Sequence, residues 1–333
     1  MTLTQTAILF KRSVLASVII LTVGILSFII YQTLRAYYLA HLPPVEEKPD
    51  TKFGLLPPPK FPDAGVSTSN FSYSIDTVTG GLPETGIDSG FEKIIKVYFV
   101  TQTFATLLSS DKSTDLAQKF GLTLPPNIIS ETKYQFSDSN RVLFVDLDNG
   151  NFIYNKEASA SATVNPDDDL KIVSDFQQAL SSLGVLNEDL RVGRNKVVRT
   201  QAITVSLWPA DIDKKRIFTA DYNKSLVNAT VLGRADNLEN YLNLNFTYYP
   251  VDTSTFATYP TKTVDAAFDD LKNGKGVIIV EPEKPQVSIT AVSLGYFLPE
   301  IYSPYLQPIY VFEGPDFVAY VAAIAEQFQS EAN

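Results

Sequence analysis

From Ser13 to Leu34 the chain runs for 22 residues without a charge, SVLASVIILTVGILSFIIYQTL, bounded by Lys11 and Arg12 on one side and Arg35 on the other. At about 1.5 Å per residue a helix over that run is roughly 33 Å long, enough for a hydrocarbon core of about 30 Å. No later stretch is as long and as apolar. A single crossing is therefore expected, with the remaining residues together on one side of a membrane. The basic residues lie before the run, and Glu46 and Glu47 follow it. By the positive-inside rule residues 1–12 are cytoplasmic, 13–35 are a transmembrane signal anchor and the C-terminal bulk is extracytoplasmic. A cleaved signal peptide is the competing reading. Its apolar region is usually only about 7–15 residues and ends in small residues, whereas here Tyr38-Leu39-Ala40 places a tyrosine where a small residue is wanted.

Composition narrows the chemistry. The 333 residues include no cysteine, which excludes disulfides, thiolate metal sites and a cysteine nucleophile. All 37 acidic residues lie beyond the span. Setting aside Lys11, Arg12 and Arg35 leaves 24 basic residues there, a net charge of −13. That balance opposes binding to nucleic acid or to anionic lipid headgroups. With 45% hydrophobic and 12% aromatic residues, the outer part has the material for a sizeable core, built as two or more modules.

Seven prolines fall between Pro43 and Pro62, including Pro57-Pro58-Pro59. They favour extended polyproline II, so residues 36–65 read as a semi-rigid stalk or as a strap along the domain. Beyond them, strands are expected at Phe71–Ile75 and Ile94–Val100, then a helix at Ser113–Phe120 stopped by Gly121. Tyr134–Phe136, Arg141–Asp146 and Phe152–Tyr154 read as strands, the last two joined by a turn at Asp148-Asn149-Gly150. A second helix starts at Asn165-Pro166-Asp167-Asp168-Asp169, puts Leu170, Val173, Phe176, Leu180 and Leu183 on one face, and ends at Gly184. Strands follow at Ala202–Trp208, Ala229–Arg234 and Tyr241–Tyr249. A third helix buries Val264, Ala267, Phe268 and Leu271 and exits at Asn273-Gly274. The next strands are Val277–Val280, Val287–Phe297 and Pro308–Phe312. A final helix is expected from Gly314-Pro315-Asp316, burying Phe317, Val321, Ile324 and Phe328. The fold class is thus α+β: a helix with a three-stranded antiparallel sheet, repeated in modules at 66–164, 165–260 and 261–333, the last closing with the C-terminal helix.

This order of helix, meandering strands and helix resembles PepSY-like modules. TVDAAFDDLKNGKG, ITAVSLGYF and YLQPIYVFEG, between Thr263 and Gly314, resemble the closing module of the Yyc-type accessory regulators, single-span extracytoplasmic partners of a bacterial cell-wall sensor kinase. The resemblance implies an envelope protein with a regulatory role and carries no catalytic residues.

Motifs for catalysis and metals are thin. Leu82-Pro83-Glu84-Thr85-Gly86 spells a sortase pentapeptide, but it sits mid-chain in a glycine-rich loop and reads as a turn. Asp146, Asp148, Asn149 and Gly150 resemble a calcium loop with the glycine one place early and no glutamate at the twelfth position, which favours a hairpin turn. Ser109-x-x-Lys112 and Ser130-x-x-Lys133 match S-x-x-K without the K-T-G or S-D-N that accompanies it in penicillin-binding enzymes. His41 is the only histidine and sits just past the span, so neither a triad nor a histidine zinc site is available to the outer domain. Asp167, Asp168 and Asp169 fit a helix start better than a metal site. Four N-x-[ST] sites, at Asn70, Asn223, Asn228 and Asn245, matter only in a glycosylating host.

One stretch is richer. Tyr296, Phe297, Tyr302, Tyr305, Tyr310 and Phe312 crowd together among Pro299, Pro304 and Pro308. Tyr296, Tyr310 and Phe312 suit a strand core, while Tyr302 and Tyr305, in the loop Pro299–Tyr305, form a candidate protein-contact patch. The expectation is a non-enzymatic binding or regulatory protein of the cell envelope, with no cofactor and no metal, and with an envelope or membrane protein as partner. The alternatives are an envelope hydrolase using a Ser–Lys pair or paired carboxylates, and a structural or assembly protein.

Overall fold

The computed structural model describes residues 3–40, 48–63, 65–84, 90–157 and 167–330. The chain forms two units, Met1–Lys48 and Pro49–Asn333. The first is α1, Leu3–Ala40. Among the described residues it is the one helix long and apolar enough to cross a membrane, over Leu15–Arg35, a property that a signal sequence shares. His41 lies outside the described residues.

The second unit is mostly β. In chain order it contains β1 Ser72–Ile75, β2 Ile94–Val100, α2 Ser109–Lys119, β3 Asn127–Ser130, β4 Lys133–Ser137, β5 Arg141–Asp146 and β6 Phe152–Lys156. Then come α3 Asp169–Leu183, α4 Glu188–Val192, β7 Asn195–Arg199, β8 Ile203–Leu207, β9 Ile217–Phe218, β10 Val227–Val231, β11 Tyr241–Phe246 and β12 Val251–Pro260. The chain closes with α5 Val264–Lys272, β13 Val277–Val280, β14 Gln286–Ile289, β15 Ala291–Phe297, β16 Tyr305–Gly314 and β17 Phe317–Ala322.

An antiparallel eight-stranded sheet has the order β3-β4-β5-β6-β11-β10-β8-β7. A second sheet runs β12-β2-β16-β15-β9, with β17 and β13 joined beside β16. The eight-stranded sheet is therefore an excursion between β2 and β12, which pair with each other (Ile95 opposite Tyr259), and only β9 leaves it to run parallel to β15. These sheets differ from the expected modules. β6 pairs with β11 across residue 164, and β2 pairs with both β12 and β16, so strands from different expected modules share one sheet. A three-stranded sheet leaves two open edges, and merging strands satisfies more of their backbone groups.

The eight-stranded sheet is covered on one face. Leu143, Val145, Phe152 and Tyr154 from its hairpins, and Val205, Ala229 and Leu244 further along, pack with Leu116 of α2, with Phe120 just past its end, and with Ile172, Phe176 and Leu180 of α3. Asp168 caps α3 by accepting from the Lys171 amide at 2.8 Å, and Gly184 ends it in the left-handed region. Asn165 and Pro166, part of the expected start, lie outside the described residues. Leu170 was expected on the buried face, but its side chain is 81% exposed. The buried stripe comprises Ile172, Val173, Phe176, Ala179, Leu180 and Leu183, which turns residue 170 to solvent. At the end of α2, Arg141 donates to Phe120 O at 2.9 Å and Gly121 O at 3.3 Å while its guanidinium pairs with Asp138 at 2.6 Å. Gly121 has φ +76°, and a Cβ there would lie 2.8 Å from Arg141 Nη1.

The second sheet is buried on both faces. Phe317, Ala319 and Val321 enter one core with Tyr296, Tyr310 and Phe312, while Val318 and Tyr320 enter another with Phe297, Ile309 and Val311. This corrects the expected C-terminal helix. Gly314-Pro315-Asp316 is a hairpin turn with φ +53° at Asp316, and Phe317–Ala322 pairs antiparallel with β16. Phe317 and Val321 have helical spacing only because every residue of Phe317–Ala322 is apolar, which hides the period of two, while Ile324 and Phe328 lie beyond the strand, Phe328 in a short 3-10 turn. The expected Val287–Phe297 strand breaks at Thr290 into β14, which runs parallel to β1, and β15. At Gly295 a Cβ would meet the Phe218 ring at 2.4 Å, so glycine lets β9 lie against β15.

The proline-rich segment is a strap over residues 49–63. Thr51 N donates to Thr258 O, and the Asp50 carboxylate accepts from Thr258 N at 2.8 Å. Leu56 is buried and bridged in parallel to Gln329, Gln307 Nε2 donates to Pro57 O at 2.7 Å, and Phe61 packs 5.0 Å from Phe297.

Candidate functional site

The β5–β6 hairpin sets the site. Its register pairs Phe144 with Ile153 and Val145 with Phe152. Alternation sends Val145 and Phe152 into the core and leaves Phe144 and Ile153 outward, 40% and 42% exposed. The turn between them is held by short-range polar bonds: Asp148 N donates to Asp146 Oδ1 at 3.0 Å, Gly150 N to Asp146 O at 2.8 Å, and Asn151 N to Asn149 Oδ1 at 2.8 Å. Ala105 N donates to Asp148 Oδ1 at 2.9 Å, and Tyr248 N to the buried Asn151 Oδ1 at 2.9 Å. The hairpin expected here is present, with its carboxylates engaged by backbone amides.

Two clefts flank this turn and share Val145, Asp146 and Asn149. The first, of about 270 Å³, lies between the outward hairpin face and the β11–β12 and β15–β16 connections, and is lined by Tyr134, Phe144, Ile153, Thr247, Tyr249 and Glu300 together with Lys133 and Asp146. Tyr249 joins its two walls. Its hydroxyl donates to Glu300 O at 3.1 Å, and its ring meets Tyr302 edge-on with centroids 5.8 Å apart. Burial raises the Tyr249 phenol above its ordinary value, and the Asp146 carboxylate adds to that shift. The second cleft, of about 520 Å³, is lined by Ser109, Lys112, Asp115 and Lys119 from α2, by Asp148, and by Leu183 and Gly184 at the end of α3.

The loop singled out in the sequence thus adjoins the first cleft through Glu300 and Tyr302. Tyr302 and Tyr305 are themselves half-buried. Tyr302 donates to Val100 O at 3.0 Å, and Tyr305 stacks on Phe53 of the strap at 4.9 Å. The most exposed apolar side chain of the loop is Ile301, at 70%. Tyr296, Tyr310 and Phe312 are fully buried in the core, as expected.

The remaining candidates are dispersed. Ser109 and Lys112 both line the second cleft, but the Ser109 hydroxyl accepts from Thr106 N at 2.9 Å. Ser130 and Lys133 face each other across the β3–β4 hairpin. Asp168 is spent on its helix cap, and Asp169 pairs with Arg199 at 2.7 Å. Leu82, Pro83 and Glu84 are described; Thr85 and Gly86 lie outside the described residues. Asn228 of the glycosylation sites is buried. Among the described residues no three His, Cys, Asp or Glu side chains converge as metal ligands do. Sequence reasoning passed over Tyr249, Phe144 and Ile153. The one signal for the last two was apolar residues on both faces of Arg141–Asp146 and of Phe152–Tyr154, where a strand with one covered face should alternate.

No family model matches the chain, and no curated protein matches it. Among solved structures, an uncharacterized protein from Eubacterium rectale is similar over 74% of this chain and 87% of its own, with 12% identity and a TM-score of 0.31.

Proposed function

We propose that this chain is a single-pass, membrane-anchored binding and regulatory module of the bacterial envelope, of the sensor-kinase accessory type, with residues 1–12 cytoplasmic and the body extracytoplasmic. In this reading the body binds a partner and performs no catalysis, and the PepSY-like resemblance supplies its regulatory character. The observation that supports it best is the wedge of Tyr249 between the first cleft and Tyr302, which couples a concave, aromatic-lined recess to the loop expected to make contacts. Lys11 and Arg12 before the span support the orientation.

Protease added outside intact cells is expected to digest the body and leave a membrane fragment of a few kilodaltons. Protection of the body overturns the orientation, and release of a soluble form lacking residues 1–40 overturns the anchor. Changing Tyr302 and Tyr305 together to Ser is expected to weaken crosslinking to the envelope partner. A double variant that folds and keeps every crosslinked partner moves the contact elsewhere. A second reading, hydrolysis by paired carboxylates, is favoured by one observation: Asp146 and Glu300 line the same cleft.

A further inference from the structure

Beside the first cleft, the open face of the eight-stranded sheet carries two adjacent cross-strand rows without a single ionisable side chain. One row runs from Ser137 through Val142, Asn155 and Asn243 to Thr230 and Thr204. The next places Gln135, Phe144, Ile153 and Asn245 side by side. All ten side chains are exposed or half-exposed. At about 4.8 Å between strands, the six-strand row is about 24 Å long. Charge borders the strip: Lys133 stands opposite Asp146 at the cleft, Glu157 follows Asn155, and the second row continues through the buried Asn228 and Ser206 to Lys196.

The chemistry of the strip is that of a surface for hydroxyl groups. Asn243 Nδ2 donates to Asn155 Oδ1 at 2.8 Å, and Thr247 Oγ1 to Asn245 Oδ1 at 3.1 Å. The first bond fixes both amides and leaves Asn243 Oδ1 and Asn155 Nδ2 as a neighbouring acceptor and donor, each without a partner among the described residues. Such a pair suits a sugar hydroxyl, which donates and accepts at once. Phe144 and Ile153, flanked by amides, give the C–H face of a pyranose ring a place to pack, and the cleft holds Tyr249, Thr247 and Asn149 at its end. A protein-contact core concentrates aromatic anchors and apolar area, whereas this strip holds seven polar groups and three apolar ones, Val142, Phe144 and Ile153. A polyanion is opposed by the body's net charge of −13.

We propose that this face and the adjoining cleft bind a neutral glycan strand, a chain of uncharged sugars laid across β4, β5, β6 and β11. The inference rests on the binding reading above and names the ligand class for that site.

The test uses the full chain in detergent with three probes: chitohexaose and cellohexaose as neutral strands, and heparin as a polyanion. Binding is measured by calorimetry, and melting temperature reports the fold. Binding of a neutral strand, reduced tenfold or more in both N155D/N243D and F144A at unchanged melting temperature, supports the proposal. F144A removes only an exposed ring, so it keeps the test informative if the double variant does not fold. Binding to neither neutral strand, equal binding in the variants, or a preference for heparin overturns it. A photo-crosslinking residue at position 144 in intact cells separates the two readings. A protein adduct without glycan binding retains the binding module and rejects the glycan, and the lack of both rejects the two together.

Discussion

Phe176 and Leu170 sit six residues apart on α3 and show how far a single position depends on its neighbours. Phe176 is fully buried and its ring lies 6.3 Å from that of Tyr241, whereas Leu170 projects into solvent. Phe176→Ala is expected to cost about 3–5 kcal/mol in denaturant unfolding, because it removes the ring and leaves a cavity. Leu170→Ala is expected to change stability by less than about 0.5 kcal/mol. Equal costs for the two would place the helix in another register. The sequence alone made these residues equivalent, since both fit a stripe of four-residue and three-residue steps. The distinction comes from where the helix begins: with Asp168 as cap, Leu170 falls in the first turn.

At the scale of elements, the tight turn Ile212–Lys215 is docked on β2 by charge. Asp213 and Lys214 both have positive φ, and the Asp213 carboxylate accepts from the Tyr98 hydroxyl at 2.5 Å and pairs with Lys96 at 3.1 Å. The Tyr98 hydrogen bond, with Lys96 behind it, holds the Asp213 carboxyl below its ordinary value of 3.8. A carboxyl depressed by folding adds stability that is fully present above that ordinary value and is lost as pH falls through the folded-state value. Nearly half of this side chain is exposed, so screening keeps the increment to about 1 kcal/mol or less. Acid titration of stability is expected to be shallower below pH 3.8 in Asp213→Asn than in the parent. Identical acid limbs would remove this contact from the ledger of the fold. The turn itself was not legible, because Asp-Lys is not among the usual left-handed dipeptides. The hairpin at Asp148-Asn149-Gly150 was legible, because its residues bond their own backbone. The β12 strand was missed for another reason: its middle is exposed and its pairing with β2 is interrupted between Asp252 and Phe256, which breaks the apolar alternation.

For the whole molecule, what could be read from the chain was local and what could not was pairing. The helices at 169–183 and 264–272 carry their own caps, Asp168 and Thr263, and stand close to where the residues placed them, whereas α2 has no side-chain cap and begins at Ser109, four residues before the expected start. Which strand lies beside which depends on β2 meeting β12 after 150 residues of intervening chain and β16 after 204, and no local pattern encodes that. The strap depends on the same long-range closure. Leu56 N donates to Phe328 O, and Ser330 N donates to Leu56 O, so the start and end of the body share one set of bonds. Removing residues 328–333 is therefore expected to expose the segment around Leu56 to proteolysis and to lower the melting temperature by several degrees. Unchanged protection would make the strap independent of the C-terminal segment.

That shared clasp bears on how the body responds to pulling. The strap begins at the Asp50–Thr258 bond, and Leu56 meets Gln329 in a parallel bridge. A parallel pairing pulled along its length loads its hydrogen bonds together rather than peeling them one by one. The proline strap is thus a closure of the body made by hydrogen bonds and packing alone, in a protein that has no disulfide to make it.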